Sequence, residues 1–526
     1  MKRTVAPLLA ALTLAAGSAQ GLDPEGFPIV SEPLTLELMG SKSALQGEWS
    51  NLKVFQMLEE LTNISFTFDT PPDDGYEERK NLIFASGELP DLFFGGRLTS
   101  SDEVNYGTQG FLVPLGPLIE GSAPNLQRLF NEQPTIRQSI TTPDGHIYAL
   151  PGVTAGFGVY PKLWLNQTWL DAVGLEQPET TDDFYEVLKA FKEGDPNGNG
   201  EADEIPLTST SLEGWPLDDI RAGMLAAFGF KVGYGKTLFD VDAEQVRFVP
   251  REEGFRSYLT FMNRLYSEGL LDPDSYTQDF DQIAAKGEAD RLGAFTAAGP
   301  FLAVGTERNE TFVQLTPLTS PESPEPVWPE TSNVLRGTFA ITKSNPDPEA
   351  TMRWVDTFYG QEGALLLVHG VEGEDWERTE QGGLQRLYPE DINPEEYRAG
   401  QITPDAGTQL PLNREPVVEI SDVGVEETNP QNYYIGQQTQ EKLEPYAQPT
   451  FPLVYFTPEE QQEVDFLLLD IESFVQEAEA GFVTGQRPLS EWDTYVATLE
   501  QIGAGRLVEL HQAAYDRFLE AGEAAE

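Results

Sequence analysis

Leu34-Thr35-Leu36-Glu37-Leu38 and Ile64-Ser65-Phe66-Thr67-Phe68, with Leu52, Phe55, Leu58 and Leu61 between them, decide the fold class. In each five-residue run apolar side chains alternate with polar ones, the period of a half-buried strand. The four intervening apolar positions recur near one face of a helix, for which Asn63 is a natural stop. The strand–helix–strand unit then repeats: a helical stretch runs from Glu77 to Ser86, and Pro90-Asp91-Leu92-Phe93-Phe94 enters a buried strand halted by Gly95-Gly96. Such alternation predicts an α/β lobe with a mostly parallel sheet.

At 526 residues the chain is too long for one hydrophobic core and predicts two or more domains. Asp144-Gly145 reads as a hairpin turn, Val159 to Asn166 as a strand, and Thr180-Thr181-Asp182-Asp183 as the cap of a helix whose Phe184, Val187, Leu188 and Phe191 share one face. Further on, Phe255 to Gly269 reads as helix, Leu292 to Phe295 as strand and Pro321 to Pro329 as a surface connection. Arg336 to Ile341 is strand, Asp347 to Tyr359 helix, and Glu372 to Gly383 irregular. Past Pro452 the chain turns helical, with Ser490 expected to cap a helix carrying Tyr495, Leu499 and Ile502.

Met1-Lys2-Arg3, the apolar run Val5 to Ala16 and Gly17-Ser18-Ala19 have the order of a secretory signal, residues 1–19, with cleavage expected after Ala19. The run is too short to span a membrane. With no cysteine, disulfides, thiolate metal sites, a Cys nucleophile and a lipidated cysteine are all excluded. The formal net charge of −54 excludes nucleic acid as a partner, because a phosphate backbone needs a basic face. A strongly hydrated surface is the plain reading of such acidity.

One stretch carries a definite chemistry. Asp195, Asn197 and Asn199 occupy the first, third and fifth places of an EF-hand-like loop, Gly200 the sixth, and Glu201 the seventh, where a backbone carbonyl serves. Pro206 stands in the twelfth place instead of a bidentate Glu, so the loop would have to close with Asp203 and Glu204. Hard oxygen ligands suit Ca²⁺; a solvated Gly/Asn/Asp turn is the alternative.

Several stretches, in this order, resemble the family 1 extracellular solute-binding proteins of ABC importers, especially a long oligosaccharide-binding branch that includes alginate-binding proteins. They are Ala85 to Asp91, Asp144 to Pro151, Trp164 to Leu170, Asp195 to Leu207, Leu271 to Pro273 with Thr277 to Phe280, Gly337 to Lys343 and Gly485 to Trp492. The resemblance implies a type II, two-lobe periplasmic-binding-protein fold of the α/β class, hinged, with a helical C-terminal region. The lobes are expected at 22–150 with 337–400, and at 152–335 with 401–526. It also implies an oligosaccharide ligand, a permease partner, a monomer, and one structural Ca²⁺ on Asp195, Asn197, Asn199, the Glu201 carbonyl, Asp203 and Glu204. Many relatives carry a lipidated cysteine after the signal; its absence here points to the periplasm.

A sugar site needs flat aromatic faces with Asn, Gln, Asp and Arg to fix hydroxyls. The candidates are Trp49 with nearby Asn51, Tyr160, Trp164, Trp215, Trp328 and Trp376, and Arg97 and Arg336 at strand ends, where α/β clefts place ligand contacts. Trp169, Trp354 and Trp492 are assigned to the core. A glycoside hydrolase stays open as the alternative, since 87 acidic residues always offer some carboxylate pair.

Overall fold

The computed structural model describes residues 26–155, 162–212, 215–233, 238–389 and 391–523; residues 1–19, expected from the sequence to be a secretory signal, lie outside them. Nine strands build the two main sheets: β1 (Leu34–Met39), β2 (Ile64–Asp69), β3 (Leu92–Phe94), β4 (Leu150–Val153), β5 (Leu163–Asn166), β6 (Ile205–Thr208), β7 (Leu292–Thr296), β8 (Phe312–Gln314) and β9 (Val334–Ile341). The first sheet has the order β2-β1-β3-β9-β4, and the second β8-β5-β7-β6.

In the first sheet β1 pairs parallel with β2 and β3, while β9 runs antiparallel to β3 and β4. The alternation in β1 does what the sequence predicts: Leu36 and Leu38 are buried while Thr35 and Glu37 face water. β3 is buried throughout, as a central strand covered on both faces must be. Helix Lys53–Thr62 buries Val54, Phe55 and Leu58 and stops at Asn63 in a left-handed conformation, φ 63°; Leu61 stays exposed. One core fills one face of the sheet with residues from Ile29 to Val153 and from Val334 to Ile420, and a smaller one around Phe84 and Phe93 fills the other.

In the second lobe, helix Thr181–Glu193 opens with a capping box between Thr180 and Asp183 and buries Phe184, Val187, Leu188 and Phe191. That face joins a core to which helices Pro458–Thr484, Trp492–Ile502 and Ala504–Glu523 also contribute. The helical finish therefore belongs to the second lobe.

Three expectations need correcting. Leu410, Leu412, Val417 and Ile420 pack in the first core, so the segment from 401 to 420 belongs with the first lobe and the chain crosses later. Local periodicity is blind to this, because the partners lie far away: Val153 donates to the Leu412 carbonyl at 2.8 Å and Arg414 to the Val153 carbonyl at 2.9 Å. Pro321 to Pro329 is not wholly a surface connection, since Trp328 is buried and begins a short strand, Trp328–Glu330. Finally, Ser490 lies in a 3₁₀ turn, Leu489–Glu491, and the helix after it starts without a side-chain cap.

Candidate functional site

Strand direction locates the cleft. β9 pairs Phe339 with Phe94 and Ile341 with Leu92, so its first residue, Val334, lies beyond the carboxyl end of β3, beside the last residue of β4, Val153. In the second sheet Leu163, the first residue of β5, pairs with Thr296, the last of β7, to which β6 runs parallel. The chain thus leaves one sheet and enters the other at the carboxyl ends of the parallel strands, where open α/β sheets bind ligands. The segments that follow these carboxyl ends are residues 40–49 after β1 and 95–98 after β3 in the first lobe, and residues 209–210 after β6 and 297–299 after β7 in the second. Gly337 lets β9 approach the segment after β3: it sits at φ +68°, and a Cβ there would lie 2.0 Å from the Leu98 carbonyl oxygen.

Two polar arrays that the sequence did not reveal hold these ends. In the first lobe, Thr403–Gln409 lies over the loop after β1: the Gln46 amide donates to the Ala406 carbonyl at 2.9 Å and to Thr408 Oγ1 at 2.8 Å, and Thr408 donates to the Ser41 carbonyl at 2.8 Å. A cavity of 280 Å³ opens there, lined by Gly152, Val153, Leu335, Thr408, Gln409 and Arg414 among others. In the second lobe Gln278 donates to Thr208 Oγ1 (2.6 Å) and the Ser209 carbonyl (2.8 Å), and Lys286 ties Gln278 (2.6 Å) to Asp272 (2.8 Å). Ser209 and Thr296 join the two strand ends at 3.1 Å.

The candidate ligand residues separate. Trp49 is buried in the first core, stacked on Phe55 at 5.7 Å, with its indole N–H on Gln46 Oε1 at 2.9 Å. Trp164 is buried in the second lobe and donates to the Ala297 carbonyl at 2.9 Å. Trp376 begins one strand of a short hairpin and is buried in the first core, its N–H on the Gly370 carbonyl at 3.1 Å, and Trp328 packs with Leu443 and Ala226. None of these four has a ring face left for a sugar; each sits where a large apolar surface is removed from water. Arg336 is spent on the protein: it donates to the carbonyls of Ser139, Leu453 and Val454 and to Ser100 Oγ. Trp169, Trp354 and Trp492 are buried, as expected of core residues. Asn51 is exposed. Arg97, at the end of β3, is half exposed, with Nη1 shared between Ser41 Oγ at 3.4 Å and Asp73 Oδ1 at 3.3 Å. Tyr160 lies outside the described residues; Trp215 stands in a two-residue strand paired with Ser211–Leu212, its side chain likewise outside the description.

The loop after helix Thr181–Glu193 folds around its own oxygens. The Asp195 carboxylate accepts from the Gly200 N–H (3.1 Å), Asn197 Oδ1 from Asn199 N–H (3.1 Å) and Asn199 Oδ1 from Glu201 N–H (2.6 Å). Glu204 Oε1 is buried without a hydrogen-bond partner, an orphaned oxygen of the kind that suits a hard cation in an all-oxygen donor set. Asp203 also pairs with Arg291 at 3.1 Å, and among the described residues no three His, Cys, Asp or Glu side chains converge as a metal cluster, so any cation held here would have to draw on amide and carbonyl oxygens as well.

Two open α/β sheets, the chain passing between them by several crossovers, define a two-lobed, type II periplasmic-binding-protein fold. The chain belongs to the bacterial extracellular solute-binding protein family, whose model matches residues 42–365. The fructooligosaccharide ABC transporter substrate-binding protein FusA of Streptococcus pneumoniae is 28% identical over 519 residues, 94% of this chain and 92% of FusA. FusA in complex with kestose is similar in structure with a TM-score of 0.72 at 27% identity, over 92% of this chain and 99% of that one. An EF-hand mutant of FusA with fructo-nystose gives 0.71 at 26%, over the same shares. The HMO-binding, ABC-transporter-associated solute-binding protein of Bifidobacterium longum infantis shares the fold, with a TM-score of 0.76 at 21% identity over 92% of this chain and 99% of that chain.

Proposed function

We propose that this protein is the extracytoplasmic substrate-binding component of an ABC importer, capturing an oligosaccharide between its lobes and delivering it to the membrane permease. The observation that carries the reading is the cleft formed by carboxyl strand ends in a chain matching a fructooligosaccharide-binding relative over nearly its whole length. A neutral sugar suits it best, because a chain of net charge −54 repels a polyanionic one. Exposed Arg97, Asn51 and Gln409 are the first-lobe candidates for sugar hydroxyls, and Trp215 and Tyr160 remain the candidates that the sequence offers for the second lobe. The protein acts as a binder and leaves the sugar intact.

The same reading assigns one structural Ca²⁺ to Asp195, Asn197, Asn199, the Glu201 carbonyl, Asp203 and Glu204. When bound, the ion neutralises this acidic loop. The loop residues then fix the starts of β6 and β7, since Ile205 N–H donates to the Arg291 carbonyl at 2.8 Å and Arg291 Nε to the Asp203 carbonyl at 2.9 Å.

Calorimetry with kestose, nystose, maltotriose and an alginate oligomer, followed by chromatography of the sugars, tests the function. Saturable one-site binding of a neutral oligosaccharide, recovered at full length, is expected. Shortened products would make the protein a glycoside hydrolase instead, and failure of every sugar to bind would overturn the ligand class.

A further inference from the structure

The segment that leaves the short strand Ala447–Pro449 runs along the first lobe before it enters the second-lobe helix Pro458–Thr484. On it, the Tyr455 hydroxyl donates to Glu103 Oε2 at 2.6 Å. Glu103 belongs to the first-lobe helix Ser100–Thr108 and is wholly buried, and its other oxygen, Oε1, has no hydrogen-bond partner. The Arg336 guanidinium lies 3.8 Å over the Tyr455 ring. Its bonds to Ser139, Ser100, Leu453 and Val454 bind the same segment to the first lobe. From the second lobe, Arg517 reaches the Tyr455 carbonyl at 3.4 Å.

We propose that Glu103, Tyr455 and Arg336 form a proton-sensitive clasp across the join between the lobes, which holds the arrangement seen here while Glu103 is neutral and lets the lobes swing apart once Glu103 ionises. The clasp stands on this geometry; only its consequence, solute retention that depends on pH, rests on the binding function proposed above.

The direction follows from linkage. Burial drives the Glu103 carboxyl up to about 7, against the Arg336 charge and the Tyr455 hydrogen bond, with Asp102 adding to the rise. A glutamate released into water titrates near 4.3, about the usual value. The clasped arrangement therefore holds the proton more tightly than one that hydrates Glu103. Its advantage is complete below about 4.3 and is lost as pH rises to about 7, by up to about tenfold per pH unit.

The other charged groups facing the site are paired. Asp102, on the same helix, meets Lys80 of helix Asp73–Ser86 at 2.8 Å. Glu460, from helix Pro458–Thr484, meets Arg517 of helix Ala504–Glu523; burial pushes Glu460 up, but its hydrogen bonds with Arg517 and Thr457 win and hold it below the usual carboxylate value. Glu103 is thus the group in the cluster that gains or loses a proton as pH moves up to about 7.

A cysteine-free chain suits single-molecule energy transfer, with labels placed through Glu60→Cys on the first lobe and Glu193→Cys on the second, both exposed. Without ligand, the interlobe distance distribution of the otherwise native protein should shift between pH 4.5 and 8. Glu103→Gln, a neutral isostere, should keep the low-pH distribution throughout. Tyr455→Phe should show the high-pH distribution even at pH 4.5, and circular dichroism establishes that each variant is folded. If Glu103→Gln does not fold, Tyr455→Phe alone decides: a distribution matching the native one at pH 4.5 overturns the clasp. A native protein with no shift, or a folded Glu103→Gln that shifts like it, does the same. Because no sugar enters the measurement, its failure would leave the proposed binding function standing.

Discussion

Trp49→Ala should destabilise the first lobe by about 4 kcal/mol and do little to sugar binding beyond what instability explains. The ring is 1% exposed, stacked on Phe55 at 5.7 Å, and turned edge-on to Phe68 at 6.4 Å and Phe94 at 6.2 Å. A buried aromatic removes about 150–250 Å² from water, which at about 25 cal/mol per Å² is worth about 4–6 kcal/mol. Measured aromatic-to-Ala truncations cluster at about 3–5 kcal/mol, because the site partly collapses. Losing the indole N–H bond to Gln46 adds about 1 kcal/mol. Urea unfolding followed by circular dichroism should show an early first-lobe transition in Trp49→Ala. In Trp49→Phe, which keeps the ring packing, the loss should be about 1–2 kcal/mol and the sugar Kd unchanged within about twofold. A loss below about 1 kcal/mol in Trp49→Ala, accompanied by abolished binding, would refute the packing assignment and return Trp49 to the cleft.

Chelation of the native protein should lower Tm and calcium restore it, by an amount near 2.7 kcal/mol at about a hundred times Kd, with magnesium much less effective; Asp195→Ala should erase the difference. Burial lowers the His369 pKa to about 3, helped by the charges of Arg386 and Arg398, and that of His511 to about 4. Both are neutral in the folded state, so the stability they allow is complete above about 6.5 and falls as pH drops toward those values, by about 1.4 kcal/mol per pH unit for each histidine. His511→Phe, in a ring stacked on Phe239 at 3.6 Å, should remove one histidine's share of that slope in calorimetric scans from pH 7 to 5. Gly337→Ala should lower stability by well over about 1 kcal/mol in urea titrations, since the new Cβ meets the Leu98 backbone and the conformation is left-handed; an unchanged midpoint would show that β9 and the segment after β3 do not need this approach.

The fold was legible where contacts are local. Alternation in Leu34 to Leu38, the Thr180–Asp183 cap and the Phe184 to Phe191 face are each written within a few residues, and each forms as the pattern predicts. The start of the oxygen-rich loop is local too, because Asx-type bonds from Asp195, Asn197 and Asn199 close within five residues. Trp169, Trp354 and Trp492 were legible as core residues from the apolar helix faces beside them, whereas Trp49, Trp164, Trp328 and Trp376 were not, for residue type alone is silent on burial: Trp376, in a polar stretch, opens a short hairpin yet is buried, its N–H held by the Gly370 carbonyl. The arrays at the cleft were hidden by distance along the chain. Gln46 meets Thr408 only after the chain has travelled through the second lobe and back, and Glu103 meets Tyr455 in the same way. Arg336 at a strand end looked like a ligand residue, and only the folded neighbours show that its donors are used by carbonyls.

Solution X-ray scattering of the native protein titrated with kestose, with the sugar analysed afterwards, tests the central reading most directly. A binding protein whose lobes meet at their carboxyl strand ends should contract, its radius of gyration falling to a plateau at one sugar per chain while the kestose is recovered intact. A profile unchanged at saturating, calorimetrically verified binding would contradict a closing clamp, and recovery of fructose and sucrose would contradict a transport binder.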